Sequence, residues 1–136
     1  MSLDLCSVHR TAGYTMITLP AEIDSSNAEQ VHEELLRALN GGPAVLVVDM
    51  TGTSFCASAG IHALTRARSR AAAAGIGLRA AVSTCIVRRI LELTRVDHLI
   101  DVYPGLEDAL AGLSMPDGSD GDRRRQPTDR RQVAAE

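Results

Sequence analysis

Residues 44–61 read AVLVVDMTGTSFCASAGI, and this stretch decides the fold. Ala44 to Met50 is a near-continuous apolar run, which predicts a central strand covered on at least one face. Thr51 to Ala57 supplies the polar and small residues of a turn, and an Ala-rich helix is predicted from Ser58 or just after it. Ile61, Leu64, Ala67, Ala71 and Ala72 give that helix a buried stripe, with Arg66, Arg68 and Arg70 towards solvent and Gly75 ending it.

Working outward, Leu78 to Val82 reads as another strand. Thr84 to Thr94 reads as an amphipathic helix with Ile86, Val87, Ile90, Leu91 and Leu93 facing inward. Leu99 to Tyr103 is predicted as a short strand and Leu106 to Leu113 as a last helix. Towards the N-terminus, Leu3 to Val8 and Tyr14 to Leu19 alternate apolar and polar residues about a Thr-Ala-Gly turn, which predicts a hairpin. Asp24, Ser25 or Ser26 is placed to cap a helix carrying Ala28, Val31, Leu35, Leu36 and Leu39, and Asn40-Gly41-Gly42-Pro43 stops it. Strands separated by helices imply parallel neighbours with right-handed crossovers. The class is α/β: a mixed sheet opening with an antiparallel hairpin, and about four helices mostly on one face.

This domain takes residues 1–113. From Ser114 onward Pro, Gly, Ser, Asp and Arg dominate, so 114–136 is predicted to be a disordered polar tail that buries too little surface to offset its ordering entropy. The Arg123-Arg124-Arg125 cluster offers a contact for nucleic acid or an acidic partner. Hydrophobic residues make up 45% of the chain, yet Trp is absent and the aromatics are Phe55, Tyr14 and Tyr103. Leu, Ile, Val and Ala must therefore build the core. A net charge of −3 and so few rings argue against a nucleic-acid reader. Cys6, Cys56 and Cys85 are an odd count without CxxC spacing, which argues against a disulfide framework or a zinc site. No leader or bilayer-length apolar run is visible, so a reducing cytoplasm is predicted. No Gly-rich phosphate loop or metal-ligand cluster appears, and no cofactor is predicted.

Ser58 lies between a strand and a helix, and three readings compete for it. As an N-cap it accepts bonds from the first turn of the helix. Because helix N-termini favour anions, a phosphoryl group there would be tolerated, and it would switch a docking surface without unfolding anything. As a nucleophile it sits in Cys56-Ala57-Ser58-Ala59-Gly60, one residue short of G-x-S-x-G. The elbow Gly is replaced by Cys56, however. His62 is a turn along the same helix, and His98 has no carboxylate arranged to orient it.

These residues resemble the STAS-domain family of anti-sigma factor antagonists along nearly all of Leu3 to Leu113. Glu22-Ile23-Asp24 is similar to the family's Gly-Glu-(Ile/Leu)-Asp after the second strand. Leu46 to Met50 followed by Phe55 resembles its central strand and loop, and Ser58-x-Gly60-Ile61 its Asp-Ser-Ser-Gly-Leu phosphorylation motif. Val87 to Thr94, with Val102 to Leu110, resembles its closing segment. The resemblance implies a sheet of four or five strands and a binding protein rather than an enzyme. The implied partner is an anti-sigma factor with a GHKL-type serine kinase domain, which releases its sigma factor when the unphosphorylated antagonist docks. Ser58 is then the phosphoacceptor, a PP2C-type phosphatase resets it, and neither nucleic acid nor membrane is bound. Asp24 becomes the acidic residue associated with kinase docking, and Asp24, Ser25, Ala57, Ser58, Ala59, Gly60 and Ile61 the partner-binding surface.

The chain departs from the family pattern at Ala57, where Asp usually precedes the phosphoacceptor, and at Ala59, where a second Ser is usual. Pro20-Ala21 replaces the Gly before Glu22, and Arg95 stands where Gly is frequent. The two alanines keep open a constitutive or scaffold module of the same fold that is never phosphorylated. Among the remaining residues, Asp49 is read as bonding the loop after the central strand, and Cys56 as a small buried apolar residue. Arg88 and Arg89 are read as a solvated helix face or a partner contact.

Overall fold

The computed structural model describes residues 5–113. The predicted tail, 114–136, lies outside the described residues. The chain opens with a hairpin of β1 (Ser7–Arg10) and β2 (Thr15–Thr18), antiparallel with Val8 opposite Ile17. Its turn closes where Thr11 N–H and Oγ1–H both donate to the carbonyl of Tyr14, at 2.8 and 2.9 Å. The first strand starts later than the alternation predicts. Leu5 and Cys6 donate their N–H groups to the Glu34 carboxylate, each at 3.0 Å, so this backbone bonds to a helix side chain instead of a ladder.

Two short strands, β3 (Glu22–Ile23) and β5 (Phe55–Cys56), pair with each other outside the main sheet. The central strand β4 (Val45–Met50) runs parallel to β2 on one side and to β6 (Gly77–Val82) on the other; β7 (Asp101–Tyr103) closes the edge beside β6. The five-stranded order is β1-β2-β4-β6-β7, with only the opening pair antiparallel.

Among the described residues four helices cover this sheet: α1 (Ala28–Asn40), α2 (Ser58–Ala74), α3 (Cys85–Leu93) and α4 (Leu106–Leu110). A 3-10 turn at Val96–His98, which apolar spacing did not reveal, links α3 to β7. Alternation along β4 divides the core. Leu46, Val48 and Met50 pack with Val31 and Leu35 of α1, Leu64 of α2 and Leu91 of α3. Val47 points the other way and, with Ala81, meets Ala109 of α4. Three helices thus share one face and α4 takes the opposite one.

The end of α2 follows the predicted chemistry. Gly75 has φ of 74°, a left-handed conformation that lets Ile76 N–H close on the Ala71 carbonyl at 2.8 Å. Three inward assignments need correction. Ala72 is exposed, because α2 turns Ile61, Ala63, Leu64, Ala67 and Ala71 inward instead. On α3 only Val87 and Leu91 are buried, so this short helix packs by one edge; Ile86 is 60% and Leu93 69% exposed.

Candidate functional site

The loops after β2 and β4 are joined by the small β3–β5 pair, in which Glu22 lies opposite Phe55 and Ile23 opposite Cys56. The period of two turns Ile23 and Cys56 into the core and leaves Glu22 and Phe55 outside. Backbone bonds extend the pairing at both ends: Ser54 N–H donates to Ala21 O and Ala57 N–H to Ile23 O, each at 2.8 Å. Thr53, fully buried, adds a bond from its hydroxyl to the carbonyl of Pro20 at 2.9 Å. Asp24, next after Ile23, is thereby set beside Ala57 and the start of α2.

Ser58 is the first helical residue of α2 and is exposed. The N-cap is Ala57, extended at φ −76°, ψ 171°, and its carbonyl accepts from Gly60 and Ile61 N–H. The predicted capping role of Ser58 is therefore corrected: it stands one residue inside the helix, and its hydroxyl has no hydrogen-bond partner among the described residues. Ala57 has no side-chain acceptor to offer, and the first turn holds no acidic residue. The positive end of the α2 dipole thus faces solvent uncapped, beside a free hydroxyl.

Gly60 and Ile61 sit beneath this surface, both buried. They seat the helix on β3 and β5 and present no side chain outward. Ser25 is exposed, while Asp24, Ala57 and Ala59 are half-buried.

Asp24 is not a helix cap either; that place belongs to Asn27. Asp24 instead forms a polar turn, its Oδ1 accepting from the Ser26 N–H at 2.9 Å and hydroxyl at 2.6 Å. Its own N–H donates to Asn27 Oδ1 at 3.0 Å, and Asn27 Nδ2 reaches back to Glu22 O at 2.8 Å. Hydrogen bonds from the Ser26 hydroxyl and backbone hold the Asp24 carboxyl below its usual range, so it stays ionised beside Ser58's loop.

Neighbouring groups are structural. Asp49 bonds Thr18 Oγ1 and both the N–H and hydroxyl of Thr51, fixing the loop after β4 as its position predicts. Cys56 is buried, and burial pushes its thiol up to about 11, the behaviour of an inert packing residue. Thr84 Oγ1 donates to Thr53 O at 2.8 Å and ties the start of α3 to the same loop. His62 is exposed a turn along α2, and His98 lies in the 3-10 turn beside Asp97, 3.8 Å away. Among the described residues no base is bonded to Ser58. No group of three metal-ligating side chains is found there, and no helix is long and apolar enough to cross a membrane.

Spacing did not reveal Thr53, Thr84 or Asn27. Each acts through side-chain hydrogen bonds between segments distant in sequence or across a turn, and such bonds leave no periodic trace. The small β3–β5 sheet left only two exposed–buried dipeptides, too short to read as strands.

Comparison with known proteins agrees with this architecture. The STAS domain family matches residues 6–109. A Mycobacterium tuberculosis protein assigned as an anti-anti-sigma factor is 31% identical over 97 residues, covering 70% of this chain and 66% of that one, so the match spans about two thirds of the relative. Among solved structures, an anti-sigma factor antagonist from Mycobacterium paratuberculosis superposes with a TM-score of 0.71 at 23% identity, covering 79% of this chain and 92% of that one. A STAS domain protein from Planctomyces limnophilus gives 0.71 at 22% identity, covering 80% and 97%.

Proposed function

Because the chain belongs to the STAS domain family, we propose that it is an anti-sigma factor antagonist whose docking surface is switched by phosphate on Ser58. The observation that carries this reading is the exposed, unpartnered hydroxyl of Ser58 on an uncapped helix N-terminus, beside the ordered Asp24 turn. In the unmodified state the surface is small and nearly uncharged at Ala57, Ser58 and Ala59. It docks on an anti-sigma factor bearing a GHKL-type serine kinase domain and frees the sigma factor in the cytoplasm.

The switch is a phosphoryl transfer. The Ser58 hydroxyl gives its proton to a base of the kinase as Oγ bonds to the γ-phosphorus of ATP, and the bond to the leaving ADP oxygen breaks. The product adds roughly −1.5 to −2 charge at a helix N-terminus, where the dipole favours an anion, so the fold persists. A partner packed against a neutral surface meets instead a strongly hydrated dianion close to the Asp24 carboxylate, and the complex weakens. A PP2C-type phosphatase restores the hydroxyl by hydrolysis. Ser58 serves as phosphoacceptor rather than hydrolytic nucleophile because its place on a regular first turn brings it no base.

Ala57 and Ala59 favour a second reading, a constitutive or scaffold module. Without the acidic neighbour, kinase recognition loses a handle and the unmodified surface keeps a lower negative charge.

Isothermal titration against the purified anti-sigma kinases of the source organism separates these. The switch predicts that wild type and Ser58→Ala bind alike, while Ser58→Asp binds at least about tenfold more weakly. Equal binding by all three contradicts the switch and supports the constitutive module.

A further inference from the structure

Helix α3 carries two apolar stripes. Val87 and Leu91 fill the core, whereas Ile86 and Leu93 are 60% and 69% exposed, with half-buried Ile90 between them. At the helical repeat the outer three fall on one face, about a third of a turn from the buried pair. The start of α3 lies near the Ser58 loop. Thr84 Oγ1 bonds to Thr53 O at 2.8 Å just ahead of α3, and α3 lies against β5. Phe55 of β5, itself 45% exposed, precedes Ser58 by three positions.

The exposed charges on α3 and just after it are two arginines and one glutamate, and the exposed Glu22 stands opposite Phe55. Arg89 and Arg95 are exposed, with Glu92 as the acidic neighbour on α3; Arg88 turns to Val82 O at 3.5 Å. Arg95 has φ of 66° and is the only described non-glycine residue with positive φ. Glycine would hold that turn without strain, so the backbone gives no reason for an arginine there.

We propose that this outer face of α3, with Phe55, is the second half of the docking surface, built for an anti-sigma factor presenting apolar side chains flanked by carboxylates. The proposal rests on the reading of Ser58 given above and extends it to a patch outside the modified loop. Charge selects the occupant. Two copies of this chain pairing through α3 would gather Arg89 and Arg95 from both around the apolar strip, whereas an acidic-rimmed partner neutralises them. Binding is thereby divided: the Ser58 loop is sensitive to phosphate, and the α3 face keeps a kinase near its product.

The test is titration of the same purified anti-sigma kinases with Ile86→Asp, Leu93→Asp, Arg95→Glu and Ser58→Asp, with urea midpoints confirming that each variant folds. Support is a loss of about tenfold or more for each apolar variant and a smaller, salt-sensitive loss for Arg95→Glu. Wild-type affinity in the α3 variants, with Ser58→Asp still weakened, overturns this inference and leaves the Ser58 reading intact. No binding by wild type to any of these kinases removes both. A dimer in sedimentation that Ile86→Asp abolishes, without effect on kinase affinity, also overturns it in favour of self-association.

Discussion

Gly60 is seated directly on Ile23: a β-carbon there would lie 2.6 Å from Ile23 Cγ2 and 2.7 Å from Cys56 Sγ. The helix that displays Ser58 touches the strand that leads to Asp24 through this missing side chain. In an open helix, Gly→Ala gains about 1 kcal/mol of propensity. Here the added methyl must displace buried neighbours, at about 1–3 kcal/mol. Gly60→Ala is therefore expected to lower the urea midpoint and weaken partner binding. A raised midpoint would show that the contact is not tight.

Ser58→Ala should leave stability within about 0.5 kcal/mol of wild type, since Ala57 is the N-cap and the Ser58 hydroxyl bonds to nothing described. Had Ser58 been the cap, the same change would cost about 1 kcal/mol. Thermal or urea unfolding of the single variant distinguishes the two.

Glu34 is buried, and its carboxylate accepts from the N–H groups of Leu5 and Cys6 and from Gln30 Nε2. Glu34→Ala removes both acceptors at once and is expected to cost about 1–3 kcal/mol. Amide hydrogen exchange should quicken most at Leu5 and Cys6. Unchanged protection there would mean that other contacts hold this segment.

His32 is buried on α1, its Nδ1 without a hydrogen bond among the described residues. Burial, then the Arg66 charge, holds its pKa below the ordinary histidine value, outweighing the pull of Glu29 and Glu33. The unfolded chain thus binds this proton more readily than the folded one. Stability is complete above the ordinary value near 6.5 and falls as pH drops below it, levelling off beneath the folded pKa. His32→Leu should flatten unfolding free energy over that window. A slope unchanged by the substitution assigns it to other groups.

The long periodic segments were legible because apolar spacing dictates them. The run Val45–Met50, the α2 stripe through Ile61 and Leu64, and Gly75 as a stop all follow from local chemistry. The strand-helix alternation then selects a mainly parallel sheet. Caps were less legible. Asp24, Ser25, Ser26 and Asn27 are four adjacent capping residues, and which one wins depends on Asn27 reaching back to Glu22. The inward assignment of Ile86 and Leu93 failed for a related reason. A nine-residue helix can carry two apolar stripes, and only the sheet beneath α3 decides which is buried. The Ser58 loop was visible as a motif, but its junction with Asp24 needed the two-residue pairing of Ile23 with Cys56.

The central claim, that Ser58 is the phosphoacceptor of a docking surface, is tested most directly by intact mass. The protein and its Ser58→Ala variant are each incubated with ATP, magnesium and a purified anti-sigma kinase of the source organism. One added phosphate on wild type and none on Ser58→Ala is the predicted result. Wild type left unmodified by a kinase that binds it tightly, or the same phosphate gained by Ser58→Ala, would contradict the account.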